Sequence, residues 1–140
     1  VDGDDLGVVA DDGRLLCLDR ITGNARWEAY PPAGEYGESG AQFGPSHVFF
    51  RRAGKFLAFD RATGAPAWSL PGGRRFVAER AGRVLVTADG DQLVAVDAKT
   101  GEVKGCAHMP DVRFPAQPMR DGTVTAITDR GLMVAVELGW

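Results

Sequence analysis

The sequence predicts an all-β protein built from β-propeller blades, about three and a half four-stranded antiparallel units that form part of a larger propeller. Three observations carry this. A ten-residue phrase occurs three times: "LDRITGNARW" from Leu18, "FDRATGAPAW" from Phe59 and "VDAKTGEVKG" from Val96. Its leading acid recurs as Asp19, Asp60, Asp97 and a decayed Glu137, spaced 41, 37 and 40 residues apart. A period near 40 with strand-rich content is the signature of propeller blades. Finally, no segment shows a 3.6-residue apolar period, so no helix is expected.

Each copy keeps one internal order. First come "LGVVAD", "HVFFRR", "RVLVTAD" and "TVTAITD", short runs of strand composition. Tight turns follow at Asp11–Gly13, Ala53–Gly54, Asp89–Asp91 and Asp129–Gly131, where Gly and Asp suit the positive φ of hairpins. The next runs, "RLLCLD", "KFLAFD", "QLVAVD" and "LMVAVE", are apolar at successive positions and therefore need cover on both faces. After the Thr-Gly turn come "ARWEAY", "PAWSLP" and "VKGCAH". A further strand is expected ahead of the later copies, near Ala41–Phe43, Arg74–Ala78 and Phe114–Pro118. The copies then hold three, four, four and three strands, with blades at about 1–30, 40–70, 74–109 and 113–140.

Within the phrase, the Asp closes a strand, and its carboxylate suits the N–H groups of the turn it opens. Thr supports the same turn, and Gly takes a positive φ. The Trp, eight residues after the Asp, is placed to cover a neighbouring blade. Asp19, Thr22, Gly23, Trp27, Asp60, Thr63, Gly64, Trp68, Asp97, Thr100 and Gly101 are thus structural, a hairpin plus a staple between blades. Both Trp27 and Trp68 are expected to be buried. Gly105 stands where the third Trp would be.

These repeats resemble those of the pyrroloquinoline-quinone (PQQ)-like, or quinoprotein-like, β-propellers, whose blades carry a tryptophan-docking motif A-x-D-x-x-T-G-x-x-x-W. That family includes PQQ-dependent alcohol dehydrogenases, the outer-membrane assembly lipoprotein BamB and sensor domains joined to kinases. The resemblance spans essentially the whole chain and implies a periplasmic or other extracytoplasmic location. Such propellers close with six to eight blades. Other protein segments or chains are therefore the expected partners, completing the propeller against blade faces too apolar to stand alone.

Signals for chemistry are thin. His47 and His108 lie 61 residues apart and in no metal-binding spacing. Ser39, Ser46 and Ser69 stand outside any G-x-S-x-G. The acidic start "DGDDLG" departs from a calcium loop at Asp5 and Leu6 and reads as a solvated loop. Gly34–Gly40, next to Pro31 and Pro32, is the longest irregular stretch, either a contact loop or a linker. Cys17 and Cys106 read as buried thiols, with one bridge between them left open.

A net charge of −3 argues against a nucleic-acid surface, and no apolar run is long enough to span a membrane. The expected function is a non-catalytic, protein-binding propeller scaffold without cofactor. The alternative is part of a PQQ-dependent oxidoreductase of the alcohol or sugar dehydrogenase type. Arg74, Arg75, Arg113 and Gln117 are its candidate cofactor-binding residues, on innermost strands where guanidinium groups could meet the carboxylates of PQQ.

Overall fold

Short apolar runs separated by Gly-containing turns can satisfy their backbone only by pairing with the next run along the chain. The computed structural model has this arrangement. It describes residues 3–34, 40–109, 112–118, 123–128 and 130–137. Fourteen strands are present among them: β1 Asp5–Val9, β2 Leu15–Asp19, β3 Ala25–Ala29, β4 Gln42–Phe43, β5 His47–Arg52, β6 Lys55–Asp60, β7 Pro66–Pro71, β8 Gly73–Arg80, β9 Arg83–Ala88, β10 Gln92–Asp97, β11 Val103–His108, β12 Val112–Pro118, β13 Thr123–Thr128 and β14 Met133–Glu137. They form four antiparallel meanders, β1-β2-β3, β4-β5-β6-β7, β8-β9-β10-β11 and β12-β13-β14.

The hairpin turns explain part of this order. Ala53 and Gly54, between β5 and β6, both have positive φ, at 52° and 71°. Ala81 and Gly82 do the same between β8 and β9, at 50° and 74°. Two successive positive φ values give the turn whose twist matches that of the strands it joins.

The chain divides into two compact units, Val1–Arg74 and Arg75–Trp140. In the first, one core joins two sheets. Leu15, Cys17, Trp27 and Ala29 of the β1–β3 sheet pack with Val48, Phe50, Leu57 and Phe59 of the β4–β7 sheet. Val9, Ala41 and Phe43 close its margin. The other face of the β4–β7 sheet carries a second aromatic group. Phe49 and Phe56 stack with centroids 5.3 Å apart, and Trp68 lies 5.9 and 6.3 Å from them. In the second unit, Val77, Ala78, Leu85 and Leu93 form one core cluster, with Ala95 and Met109 against it, and Val84, Val86 and Val96 are also buried. Strand β11 is exposed along its whole length.

Three expectations are corrected. Asp5 belongs to β1 and is buried, so the acidic start is not a solvated loop throughout. Cys17 and Cys106 are both free thiols, and Cys106 is exposed because β11 is. Trp68 is half-buried where Trp27 is buried. Residues 35–39 of the Gly34–Gly40 loop lie outside the described residues.

Candidate functional site

The Asp-x-x-Thr-Gly phrase makes the same turn three times. Oδ1 of Asp19 accepts the N–H groups of Ile21 and Thr22, both at 2.9 Å. Asp60 accepts those of Ala62 and Thr63 at 3.0 and 2.8 Å, and Asp97 those of Lys99 and Thr100 at 2.9 and 3.0 Å. The Thr hydroxyl accepts the N–H two residues on, at 3.3 Å in each copy. The Gly N–H returns to the Asp carbonyl at 2.8 Å, with φ of 74°, 73° and 70° at Gly23, Gly64 and Gly101.

These bonds favour the ionised acids. The Thr22 N–H, the Arg26 guanidinium and the Ile21 N–H hold the Asp19 carboxyl down at about 2. The Thr63 backbone N–H and hydroxyl lower Asp60, and the N–H groups of Thr100 and Lys99 lower Asp97. In each copy Oδ1 is committed to the turn. Its role is to fix the turn.

Beyond each turn the register shifts by one residue, between Cys17 and Leu18, Ala58 and Phe59, and Ala95 and Val96. A bulge re-aims the side chains that follow it. It sets Trp27 opposite Cys17, Trp68 opposite Ala58 and Gly105 opposite Ala95. The residue beneath each Trp position is therefore small.

Trp27 shows where the aim leads. Its Nε1–H donates to the Arg61 carbonyl at 2.8 Å, on the equivalent turn of the next sheet. A Cβ added to Gly64 would lie 2.5 Å from its Cε3 and 2.6 Å from its Cδ2. The missing side chain of Gly64 thus makes room for the indole, at a φ that glycine tolerates without strain.

A charged chain crosses the same junction. Arg61 donates through Nε and Nη2 to Asp5 Oδ2, at 3.1 and 2.8 Å, and through Nη1 to the Gly44 carbonyl at 3.0 Å. Its guanidinium stands 5.4 Å from the centre of the Phe43 ring. Asp5 Oδ1 lies 3.2 Å from Arg26 Nη1, an ion pair without an aligned hydrogen bond. Arg26 Nη2 continues to Asp19 Oδ2 at 2.9 Å. The Asp5 and Arg61 side chains are only 12% and 22% exposed, so water screens this pair far less than an open surface pair.

Sequence inspection missed Asp5 and Arg61. Arg61 lies at a variable position of the phrase, and only the register of β1 brings Asp5 to it. The sequence marked Asp60 for its turn but did not show that Ser46 and His47 stand beside it. His47 pairs with Asp60 across the β5–β6 ladder, and Ser46 Oγ meets His47 Nδ1 at 2.8 Å. The imidazole is buried against Phe49 and Trp68, with centroids at 5.9 and 6.3 Å. Asp60 Oδ1 is committed to its turn.

The structure describes the side chains of two of the four candidate cofactor residues. Arg74 and Arg75 are exposed neighbours on β8, so their side chains leave opposite faces of the strand. Arg113 and Gln117 lie on β12, and their side chains are outside the described residues. Among the described residues, no group of three or more His, Cys, Asp or Glu could hold a metal ion. No described helix is long and apolar enough to cross a membrane.

The arrangement recurs in solved structures. BamB from Moraxella catarrhalis superposes with a TM-score of 0.75 at 21% identity, over 96% of this chain and 43% of that one. The computationally designed Ika4 protein gives 0.73 at 19% identity, over 99% and 88%. Quinohemoprotein alcohol dehydrogenase from Comamonas testosteroni gives 0.55 at 22% identity, over 82% and 20%. The fold is that of the β-propellers, and this chain spans less than half the length of BamB. No curated protein matches the chain. Residues 11–138 match the sequence profile described as outer membrane protein assembly factor BamB. The chain therefore belongs to the BamB family of PQQ-like β-propeller repeats.

Proposed function

We propose that this chain is a non-catalytic propeller scaffold that works by contacting other protein. The observation that carries this reading is the commitment of its distinctive polar residues. Asp19, Asp60 and Asp97 are bound into turns, and Asp5 and Arg61 are bound across a sheet junction. The sequence phrase that stands out most is consumed by architecture, and function is argued from a site rather than a fold. The described name of the family, an outer membrane protein assembly factor, agrees with a role among other proteins and with an extracytoplasmic location.

The oxidoreductase alternative draws on the fold shared with the quinohemoprotein dehydrogenase and on the two exposed arginines of β8. The described residues offer at most one of Arg74 and Arg75 to either face of β8, and Arg113 and Gln117 have side chains outside the described residues.

Titration of the purified chain with PQQ, followed by calorimetry and absorbance, tests the choice. The scaffold reading expects no saturable heat and no spectral shift. Micromolar binding that Arg74→Ala or Arg75→Ala abolishes would replace it with the oxidoreductase reading.

A further inference from the structure

The hairpin between β5 and β6 differs in charge from its counterparts. Its tip, Arg51-Arg52-Ala53-Gly54-Lys55, holds three cations and no acid. The β1–β2 hairpin carries Asp11 and Asp12, and the β9–β10 hairpin carries Asp89 and Asp91. Where the first of these also has a cation, acids meet it: Arg14 is bound by Asp12 at 2.6 Å and by Glu28 at 2.8 Å. In the β5–β6 hairpin, Arg51 and Lys55 make no ion pair among the described residues.

Two local costs follow from this arrangement. Register places Arg52 directly opposite Lys55 at the closing pair of the ladder. Like charges opposed on one sheet face repel. Carbonyls fix the Arg52 guanidinium at this end, Nη1 donating to Gly13 at 2.9 Å and Nε to Gly34 at 3.2 Å. On the other face Arg51 pairs with Phe56, and its Nε is buried without a hydrogen-bond partner. A buried donor left unmade is unfavourable, and an acceptor brought to it relieves the cost. Carboxylate oxygens would answer both the repulsion and the orphaned donor.

We infer that the tip of the β5–β6 hairpin is a docking surface for an acidic segment of a partner protein. Adjacent residues of a strand leave opposite faces, so Arg51 stands on one side of the hairpin and Arg52 with Lys55 on the other. One small anion does not span both sides. A segment with several Asp or Glu residues laid across the tip does, and guanidinium groups match carboxylates in geometry and charge. The tip is open to such a segment. Ala53, Gly54 and Lys55 are exposed, and among the described residues no heavy atom lies within 4 Å of a Cβ built on Gly54. The chain as a whole carries a net charge of −3, so this is a local contact for an acidic segment and not a track for a long polyanion. The inference rests on the scaffold reading and names the chemistry of one of its contact surfaces.

The test is an NMR titration of the full 140-residue chain, read at backbone amides and arginine Nε–H groups. Hexaglutamate is the acidic probe and hexaglutamine its neutral control. The expected result is a saturable millimolar shift at the Ala53 and Gly54 amides and at the Arg51 Nε–H, weakening as salt rises to the physiological level. Hexaglutamine should give none. The double variant Arg51→Gln with Lys55→Gln should bind about fivefold more weakly, the loss of two exposed charge contacts. Lys55→Glu, confined to the exposed tip, is the second variant and should weaken binding without touching the half-buried Arg51. Four results would overturn the inference: no shift at millimolar hexaglutamate, equal binding by the parent chain and these variants, equal shifts with inorganic phosphate, which makes the tip a small-anion site, or tighter capture by phosphatidylglycerol vesicles, which makes it a lipid contact. PQQ binding that survives Arg51→Gln with Lys55→Gln bears on the scaffold reading alone, and a failure of hexaglutamate to dock bears on this inference alone.

Discussion

Trp27 occupies the space that a side chain on Gly64 would fill, with Cε3 only 2.5 Å from the position of a Cβ there. The two residues lie 37 positions apart and on different sheets, so this contact joins one repeat to the next. Gly23 supplies an internal control, with the same φ and open space above it. Gly23→Ala should cost only the positive-φ penalty, about 1–2 kcal/mol. Gly64→Ala should cost roughly 1–3 kcal/mol more, because the methyl also displaces the ring. Chemical denaturation of the two variants measures the difference, and equal losses would remove the indole from the explanation.

The Asp5–Arg61 pair should behave as a partly buried ion pair. Arg61→Met removes both donors to Asp5 Oδ2 and should destabilise by about 2–4 kcal/mol, somewhat below the loss for a fully buried pair. The double variant Asp5→Leu with Arg61→Met should recover part of that loss, since both charges are then gone. A double variant weaker than the sum of the two single changes would contradict this.

Acid should loosen the turns in a defined window. The Asp19 carboxyl falls from an ordinary 3.8 to about 2 in the folded chain. A depressed carboxyl stabilises the fold above its unfolded pKa, and that contribution disappears as pH falls through the folded value. Asp60 and Asp97 shift in the same direction. Stability should therefore decline as pH drops from 3.8 towards 2. Asp19→Asn should decline less steeply over that range, and equal slopes by denaturation at each pH would refute the assignment.

The hairpin between β8 and β9 holds a correctable strain. Ala81 has a φ of 50° and is exposed. Asn tolerates that region better and suits the first position before Gly82. Ala81→Asn should stabilise by about 0.5–1 kcal/mol, in keeping with the gains available from turn residues. A loss of stability would show that the alanine methyl makes a contact worth more than the strain.

The repeat made the strands legible. Copies of Asp-x-x-Thr-Gly at a regular spacing announce a hairpin each time, and the successive apolar residues of β6 and β10 announce sheets covered on both faces. The bonding of Asp19, Asp60 and Asp97 could be anticipated because it is local, spanning two or three residues. The partnership of Asp5 with Arg61 could not, because it depends on which sheet face each strand presents after register is fixed. Cys106 misled because apolar composition was taken for burial, although β11 is the outer strand of its sheet and exposed. Trp68 shares the motif position of Trp27 but not its degree of burial, so a motif position specifies aim and not cover.

The central claim is that one repeat is fastened to the next through the indole on the glycine turn. A double-mutant cycle of Trp27→Ala and Gly64→Ala, read by denaturant unfolding, tests it most directly. Trp27→Ala alone should cost about 3–5 kcal/mol, the range for emptying a large aromatic site. In that background Gly64→Ala should cost only its φ penalty, giving a coupling above about 1 kcal/mol, within the range for residues in contact. Additivity within about 0.5 kcal/mol would mean that the two residues do not sense each other, and the account of how these sheets are joined would fail.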